Sequence, residues 1–295
     1  MAGDLIVRLV AAAEADCVWR DHDGTVSGRG SLSAAAEAAA GRRVHLLVPG
    51  PDVLITRVAV PAAQRARART AIPWALEERL VDAVESLHFA LGERHDTGEW
   101  SVAVVARRAL DAWLERCARA GIEPVSLSPE PLALPAPAAG EWVALEETGT
   151  VIVRTAADGG FACEPGMLAL VAGAREKPTR IRRLGAAAAE WPPELEAVLG
   201  ALEPIEDQAA VFTGTGGIDL LQGPYSRRER SGRQLRRWRL PAAIGAALLT
   251  VAGIHLALEY AALGAREAAL RERMQALFQK TFPDVQQVRD PRARM

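Results

Sequence analysis

The residues of this sequence with the chemistry for catalysis or metal binding are few and scattered. His22, His45, His88, His95 and His255 include no pair at i, i+3 or i, i+4, the spacing that puts two imidazoles on one metal. Each reads as an ordinary surface or core histidine. Cys17, Cys117 and Cys163 are odd in number, widely spaced and without a Cys-x-x-Cys, so neither a disulfide framework nor a zinc site is indicated and a reducing compartment is permitted. Adjacent carboxylates such as Glu77/Glu78 and Glu206/Asp207 project to different faces of a helix or strand, the wrong geometry for a shared acid–base task. There is no Gly-x-Ser-x-Gly elbow and no Walker loop. The runs Glu146-Glu147-Thr148-Gly149-Thr150 and Thr213-Gly214-Thr215-Gly216-Gly217 have backbone fit to cradle a phosphate, but turn chemistry explains both. The sequence therefore nominates no catalytic, cofactor-binding or metal-binding residue and no cofactor.

The strong physical signal lies elsewhere. From Leu240 to Leu258 His255 is the one strongly polar side chain among 19 residues, a helix roughly 28 Å long against a hydrocarbon core of about 30 Å. Before it stand Arg227, Arg228, Arg230, Arg233, Arg236, Arg237 and Arg239 against the single Glu229, with Trp238 at interfacial depth. This collar is expected to contact anionic headgroups and to stay on the cytoplasmic side, which places residues 1–239 inside and 259–295 outside. The competing readings are a buried core helix for the apolar stretch and nucleic-acid binding for the arginines; the abrupt flanks favour lipid, and no nucleic-acid partner is expected. Pro241 is expected in the first turn of the helix, and Ala246, Thr250, Gly253 and Ala257 recur on one face where a second helix could approach. Beyond the span, Leu263, Leu270, Met274 and Leu277 follow at +7, +4 and +3, like the a/d seam of a short coiled coil between two copies of the chain; a simple amphipathic helix is the alternative. The helix is expected to stop at Phe282-Pro283-Asp284.

The elements that would hold these features follow from composition and pattern. The chain has 295 residues, 49% apolar and 24% charged, the profile of a folding sequence of more than one unit. Its formal charge of −2 conceals a division, −10 over residues 1–226 and +8 over residues 227–295. Met-Ala-Gly-Asp-Leu-Ile-Val has no basic n-region, so a secretory signal is not expected. Strands are predicted at Leu5–Leu9, Cys17–Arg20 and Val44–Val48, a helix at Ser33–Ala40, and, around the turn Pro49-Gly50-Pro51-Asp52, a hairpin into Val53–Val60. Residues 62–86 read as helical, with Ile72, Leu76, Leu80 and Val84 inward, Pro73 as a break or entry point, and a face of Arg65, Arg67, Arg69, Glu77, Glu78, Asp82 and Glu85 that reads as solvated, with partner binding as the alternative. Strands His88–Leu91 and Trp100–Ala106 precede a helix carrying Leu110, Trp113, Leu114 and Cys117 and closed by Gly121. Ile122–Leu127 reads as a strand, with Pro129 at the first position of the helix after it. After the break at Pro135, Pro137 and Gly140 the pattern restarts: strands Trp142–Glu146, Val151–Thr155 and Phe161–Glu164, then a helix at Leu168–Gly173. Two halves, 1–138 and 139–226, thus suggest a duplicated α/β domain, followed by an Arg-rich segment (227–239), a span (240–258) and an outer helix (259–295).

One family shares this whole arrangement. The run Ile72-Pro73-Trp74-Ala75-Leu76-Glu77-Glu78-Arg79-Leu80 with Asp82, then Leu87-His88-Phe89-Ala90-Leu91, Ala120-Gly121-Ile122-Glu123-Pro124, Leu132-Ala133-Leu134-Pro135 and Ile218-Asp219-Leu220-Leu221-Gln222-Gly223-Pro224-Tyr225 closely resembles the L protein of the bacterial type II (general) secretion pathway. Phe282-Pro283-Asp284-Val285 and Val288-Arg289-Asp290-Pro291-Arg292 extend the resemblance past the span. The resemblance implies an actin-like cytoplasmic domain of two ribonuclease-H-like halves, one transmembrane helix and a short periplasmic helix leading into a small ferredoxin-like domain that this sequence lacks. It implies a non-catalytic scaffold of the inner membrane that recruits the secretion ATPase (the E protein), pairs with the M protein and the other platform proteins F and C, and self-associates. An actin-like fold would place a phosphate turn after the first strand, where this chain has Val10-Ala11-Ala12-Ala13; efficient hydrolysis is not expected. Two alternatives remain: an actin-like nucleotide-binding protein of a pilus-assembly platform, against which the fused span counts, and a membrane-anchored receptor, which would need an external ligand domain.

Overall fold

A computed structural model describes the chain except for residues 1–2, 11–16, 22–26, 62–63, 148, 186–187, 206–210, 213–216 and 282–295. It divides at Arg227/Arg228 into two units.

In the first unit, alternating apolar residues make strands and the strands make two sheets of one design. Leu5, Val7 and Leu9 bury one face of β1 (Asp4–Leu9), which pairs antiparallel with β2 (Cys17–Asp21), itself antiparallel to β3 (Ser27–Gly30). Parallel to β1 on its other side lies β4 (Arg43–Val48), reached through helix α1 (Leu32–Ala38), whose N-cap Ser31 accepts from the Ala34 amide. That capping bond satisfies one of the amides a helix start leaves unpaired.

The next strand, β5 (Val53–Ala59), does not return to β4. It belongs to a separate three-stranded antiparallel sheet with β6 (Leu87–Arg94) and β7 (Glu99–Ala106), in the order β5-β7-β6. The hairpin expected at Pro49–Asp52 is therefore a crossing from one sheet to another through a 3-10 turn, Gly50–Asp52. Helix α2 (Arg65–Leu76) covers this inserted sheet with Ala68, Ile72 and Leu76 and is shorter than expected. It ends at Leu76, tightens into a 3-10 turn over Glu77–Arg79 and leaves in extended geometry at Leu80, because the chain must turn back to enter β6. Pro73 lies inside α2.

Helix α3 (Arg107–Arg119) returns to the first sheet with Leu110, Trp113 and Cys117 buried, and Gly121 at φ +78° closes it. Strand β8 (Ser126–Pro129) then completes the order β3-β2-β1-β4-β8. It is shorter than predicted, and Pro129 is its last residue, so the proline in the first turn of α4 (Glu130–Ala133) is Pro131.

The second half repeats the plan. Strands β9 (Glu141–Glu147), β10 (Thr150–Ala156) and β11 (Gly159–Cys163) form a meander, α5 (Leu168–Gly173) crosses over, and β12 (Arg180–Gly185), α6 (Pro193–Glu196) and β13 (Leu199–Glu203) follow. The order β11-β10-β9-β12-β13 and every strand polarity match the first sheet position for position. This is the expected duplicated, actin-like α/β architecture; β3, β12, β13 and α6 are elements that the sequence reading did not predict.

The second unit is one helix. Helix α7 runs from Arg227 to Thr281, so Pro241 falls in its interior and not in its first turn. The side chains of residues 227–244, 246–247, 257–258 and 278–281 lie outside the description.

Candidate functional site

Because β1 and β9 are equivalent strands of the two sheets, their C-terminal ends mark the place where the halves face one another. Arg8 sits there. On β1 the odd residues fill the core of the first half, so Arg8 projects from the opposite face, yet it is 4% exposed. Its Nη1 and Nη2 donate to the two carboxylate oxygens of Glu147 at 2.9 and 2.7 Å, and its Nε donates to Glu130 Oε1 at 2.9 Å. The other Glu130 oxygen accepts the Gly50 amide at 3.0 Å. The Phe212 ring lies 4.7 Å from the guanidinium carbon, a cation–π contact that adds to the pairing. Burial pulls the Arg8 pKa down, but Glu130 and then Glu147 outweigh it and the net shift is upward. For Glu130 burial dominates and holds the carboxyl above its ordinary range, against the pull of Arg8 and the Gly50 amide.

Glu146, the neighbour of Glu147 on β9, points the other way, as alternation along a strand requires. It is fully buried and accepts from Arg183 Nε and Nη2 at 2.5 and 2.9 Å, the Ala189 amide at 2.7 Å and Trp191 Nε1 at 3.0 Å. In the Glu146–Thr150 run Gly149 sits at φ +86° between two strands, and the run's two carboxylates are ion-pair partners, which turn chemistry alone does not capture.

A second polar joint ties the inserted sheet to the second half. Asp158, in the turn between β10 and β11, accepts from Arg57 Nη2 at 2.7 Å and from the Ser101 hydroxyl, and His95 Nε2 lies 2.6 Å from it. Burial would raise the Asp158 carboxyl, but hydrogen bonds from Arg57 and Ser101 carry it below the usual range. Ser101, His95 and Asp158 are the residue types of a hydrolase triad without its geometry. Serine and aspartate both meet the same His95 nitrogen, so no base is held between nucleophile and orienting acid. Residues 11–13, at the place of an actin-like phosphate turn, Thr148, and residues 213–216 of the second glycine run lie outside the described residues.

His45 and His88 are held by polar contacts within the first unit, and the three cysteines are buried thiols. His45 Nδ1 lies 2.7 Å from Ser126 Oγ, and His88 is 3% exposed with Nε2 donating to the Leu220 carbonyl at 2.8 Å. Burial, with smaller contributions from Arg107 and Arg69, pushes the His88 pKa down to about 4, against the Leu220 hydrogen bond. None of the three cysteines is in a disulfide and all are buried. Arg65, read from sequence as part of a solvated face, folds back to donate to the carbonyls of Leu91 and Gly92. His22 and the pair Glu206/Asp207 lie outside the described residues.

The residues nominated for membrane contact are divided by what is described. Arg227, Arg228, Arg230, Arg233, Arg236, Arg237, Trp238, Arg239, Leu240 and Leu258 lie on α7, with their side chains outside the description. Of the expected crossing, Leu248, Leu249, Val251, Ile254 and Leu256 are described and exposed. Among the described residues, Leu248–Leu277 contains a stretch long and apolar enough to cross a membrane. Leu263, Leu270, Met274 and Leu277 share one stripe of α7 and are 58–67% exposed.

Comparison with known proteins gives these features a context. Residues 5–228 match the family model of type II secretion system protein L. The chain is 29% identical to the type II secretion system protein L of Dickeya chrysanthemi over 306 aligned positions, covering 99% of this chain and 73% of that one. It is 31% identical to the Klebsiella pneumoniae protein of the same name, covering 85% of this chain and 62% of the relative. The cytoplasmic domain of EpsL, an inner-membrane component of the type II secretion system of Vibrio cholerae, superimposes with a TM-score of 0.64 at 22% identity, over 76% of this chain and all of that domain.

Proposed function

The chain belongs to the type II secretion system protein L family, and from that membership we propose that it is a bitopic, non-catalytic scaffold which recruits the cytoplasmic secretion ATPase, the E protein, to the inner-membrane platform. It is an inner-membrane component of the secretion system. The observation that carries the scaffold reading is the pairing of a folded unit with a long helix whose apolar side chains Leu248, Leu249, Val251, Ile254 and Leu256 are uncovered. Apolar surface of that extent is stable in lipid and costly in water.

The orientation follows from the arginines before the span, which favour a cytoplasmic first unit and a periplasmic helix end. On that topology the exposed stripe of Leu263, Leu270, Met274 and Leu277 serves pairing with a second copy or with the M protein, and F and C are further platform contacts. The Arg8 cluster supports the non-catalytic part. Carboxylates that could hold a nucleotide's Mg²⁺ between the halves are committed to a guanidinium of the same chain.

The test is co-sedimentation of the purified cognate ATPase with liposomes carrying the full chain. Recruitment that protein-free liposomes do not reproduce supports the reading. A folded ATPase that stays in the supernatant refutes it. ATP turnover by the chain alone would favour the nucleotide-binding alternative.

A further inference from the structure

The segment immediately before α7 leaves the second half and returns to the first. Ile218, Leu220, Leu221 and Tyr225 are buried in the core of the first half, with Leu220 fully enclosed. The fit is close. A Cβ placed on Gly92 would stand 2.9 Å from Ile218 Cγ1, so that position on β6 has no room for a side chain.

The polar contacts of this strap go chiefly to two different sheets, and Gln222 Oε1 also accepts from Arg65 Nη2 and Arg69 Nη2 of α2 at 3.4 Å each. On one side is β8, the edge strand of the first sheet: the Leu220 amide donates to the Leu127 carbonyl at 2.7 Å, and Asp219 Oδ1 accepts the Leu127 amide at 3.0 Å. On the other side is β6, the edge strand of the inserted sheet: Gln222 Oε1 accepts the Leu91 amide at 3.2 Å and its Nε2 donates to the Leu91 carbonyl at 2.9 Å. The strap also binds itself. Asp219 Oδ1 accepts the Leu221 amide at 2.9 Å, and Gln222 Nε2 donates to the Asp219 carbonyl at 2.8 Å. Between the two sides His88 of β6 donates to the Leu220 carbonyl, and the Tyr225 ring meets the His88 ring edge-on at 4.9 Å. Edge strands leave backbone groups that must find partners. Here one short segment supplies them to both edges, and two residues past Tyr225 the membrane helix begins.

We propose that Ile218–Tyr225 is a coupling latch: the segment leading into α7 clips the inserted sheet to the first sheet and opens as a unit, so that displacement of its α7 end loosens β6 and β8 together. This goes beyond recruitment of the ATPase and holds whichever surface the ATPase uses. The physical basis is the cross-bracing. The Gln222 amide is bonded to the Asp219 main-chain carbonyl as well as to β6, and the Asp219 carboxylate is bonded to β8, so a shift at one contact is passed to the other through a four-residue segment.

The test is residue-resolved amide exchange on the full chain in lipid nanodiscs, comparing Asp219→Ala, Gln222→Ala and Tyr225→Ala. The Leu91 and Leu127 amides are read against Val153 of β10, in the sheet of the second half. A latch that opens as a unit raises the exchange of both amides relative to Val153, by about five-fold or more, in all three variants. Asp219→Asn, which keeps an acceptor oxygen, should return both amides toward the native rate. Acceleration confined to the amide that each altered side chain contacts would overturn the proposal, and so would no change relative to Val153.

Discussion

Replacing Arg8 by methionine removes one charge from between the buried Glu130 and the partly buried Glu147 and leaves most of the side-chain length in place. Three hydrogen bonds of 2.7–2.9 Å disappear. Glu130, almost fully buried, is left with the Gly50 amide. Breaking a buried ion pair by deleting one partner costs about 3–5 kcal/mol, because the remaining charge has lost both water and its counter-ion. Against a total stability of about 5–15 kcal/mol that is a large share, and for a unit of this size it lowers the melting temperature by about 6–20 °C. The pH dependence gives an independent check. Burial already raises the Glu130 carboxyl, and Arg8 opposes that rise; without Arg8 it climbs further. A group whose folded pKa lies above its unfolded value loses its contribution as pH rises through the folded pKa. The deficit of the variant is therefore largest at neutral pH and narrows as pH falls toward the ordinary glutamate value of about 4.3. Thermal unfolding of the full chain in detergent, followed by tryptophan fluorescence at several pH values, measures both effects. Replacing Glu130 and Glu147 by glutamine as well removes the stranded charges and should recover much of the loss. A melting temperature within about 2 °C of the native chain at neutral pH, or a deficit that grows on acidification, would refute the claim that Arg8 joins the halves.

Three other outcomes follow from the contacts described above. His88 is neutral in the fold with its pKa near 4, below an unfolded value of about 6.5. Its stabilising contribution is complete above pH 6.5 and falls away, by up to about 3 kcal/mol, as pH drops to 4; with Arg107 and Arg69 opposing the imidazolium, His88→Gln should flatten that limb of a urea-midpoint profile. A Cβ on Gly50 would sit 2.6 Å from Ala162 Cβ and 3.0 Å from the Pro131 ring, so Gly50→Ala should cost about 1–3 kcal/mol in chemical unfolding. Gly166→Ala, with nothing within 4 Å, should change little. Leu249→Arg places a charge in the middle of the proposed span at a cost of about 2.5–3.5 kcal/mol, and the carbonate-resistant membrane fraction should fall; an unchanged fraction would count against the crossing.

Much of the fold was legible because period-two alternation survives in strands with one buried face. Leu5–Leu9, Val44–Val48 and the meander from Trp142 onward are where the pattern puts them, within a residue or two. Partners were harder to read than strands. The Pro49–Asp52 turn is real, but β5 pairs with β7, some fifty residues later, and no local feature of Val53–Val60 encodes that choice. Strand β12 was not predicted because Arg180-Ile181-Arg182-Arg183-Leu184-Gly185 has three arginines among six residues and no apolar alternation of period two. In the fold Ile181 and Leu184 are buried and Arg183 is neutralised by Glu146.

The same reason explains why the joint between the halves was invisible. A lone arginine at the end of an apolar strand and a glutamate pair beside a glycine turn are each commonplace, and only the duplication brings them within 3 Å. A signal was nonetheless present. A charge set between core positions such as Val7 and Leu9 must either reach solvent or find its opposite, and a strand in the middle of a sheet offers little solvent. Arg8 on β1 and Glu147 on β9 occupy matching ends of matching strands, so recognising the repeat first would have paired them. In a duplicated domain, unmatched charges at equivalent strand ends are thus the residues to suspect of holding the halves together. The Arg8 cluster is the place where a hinge between the halves would have to break.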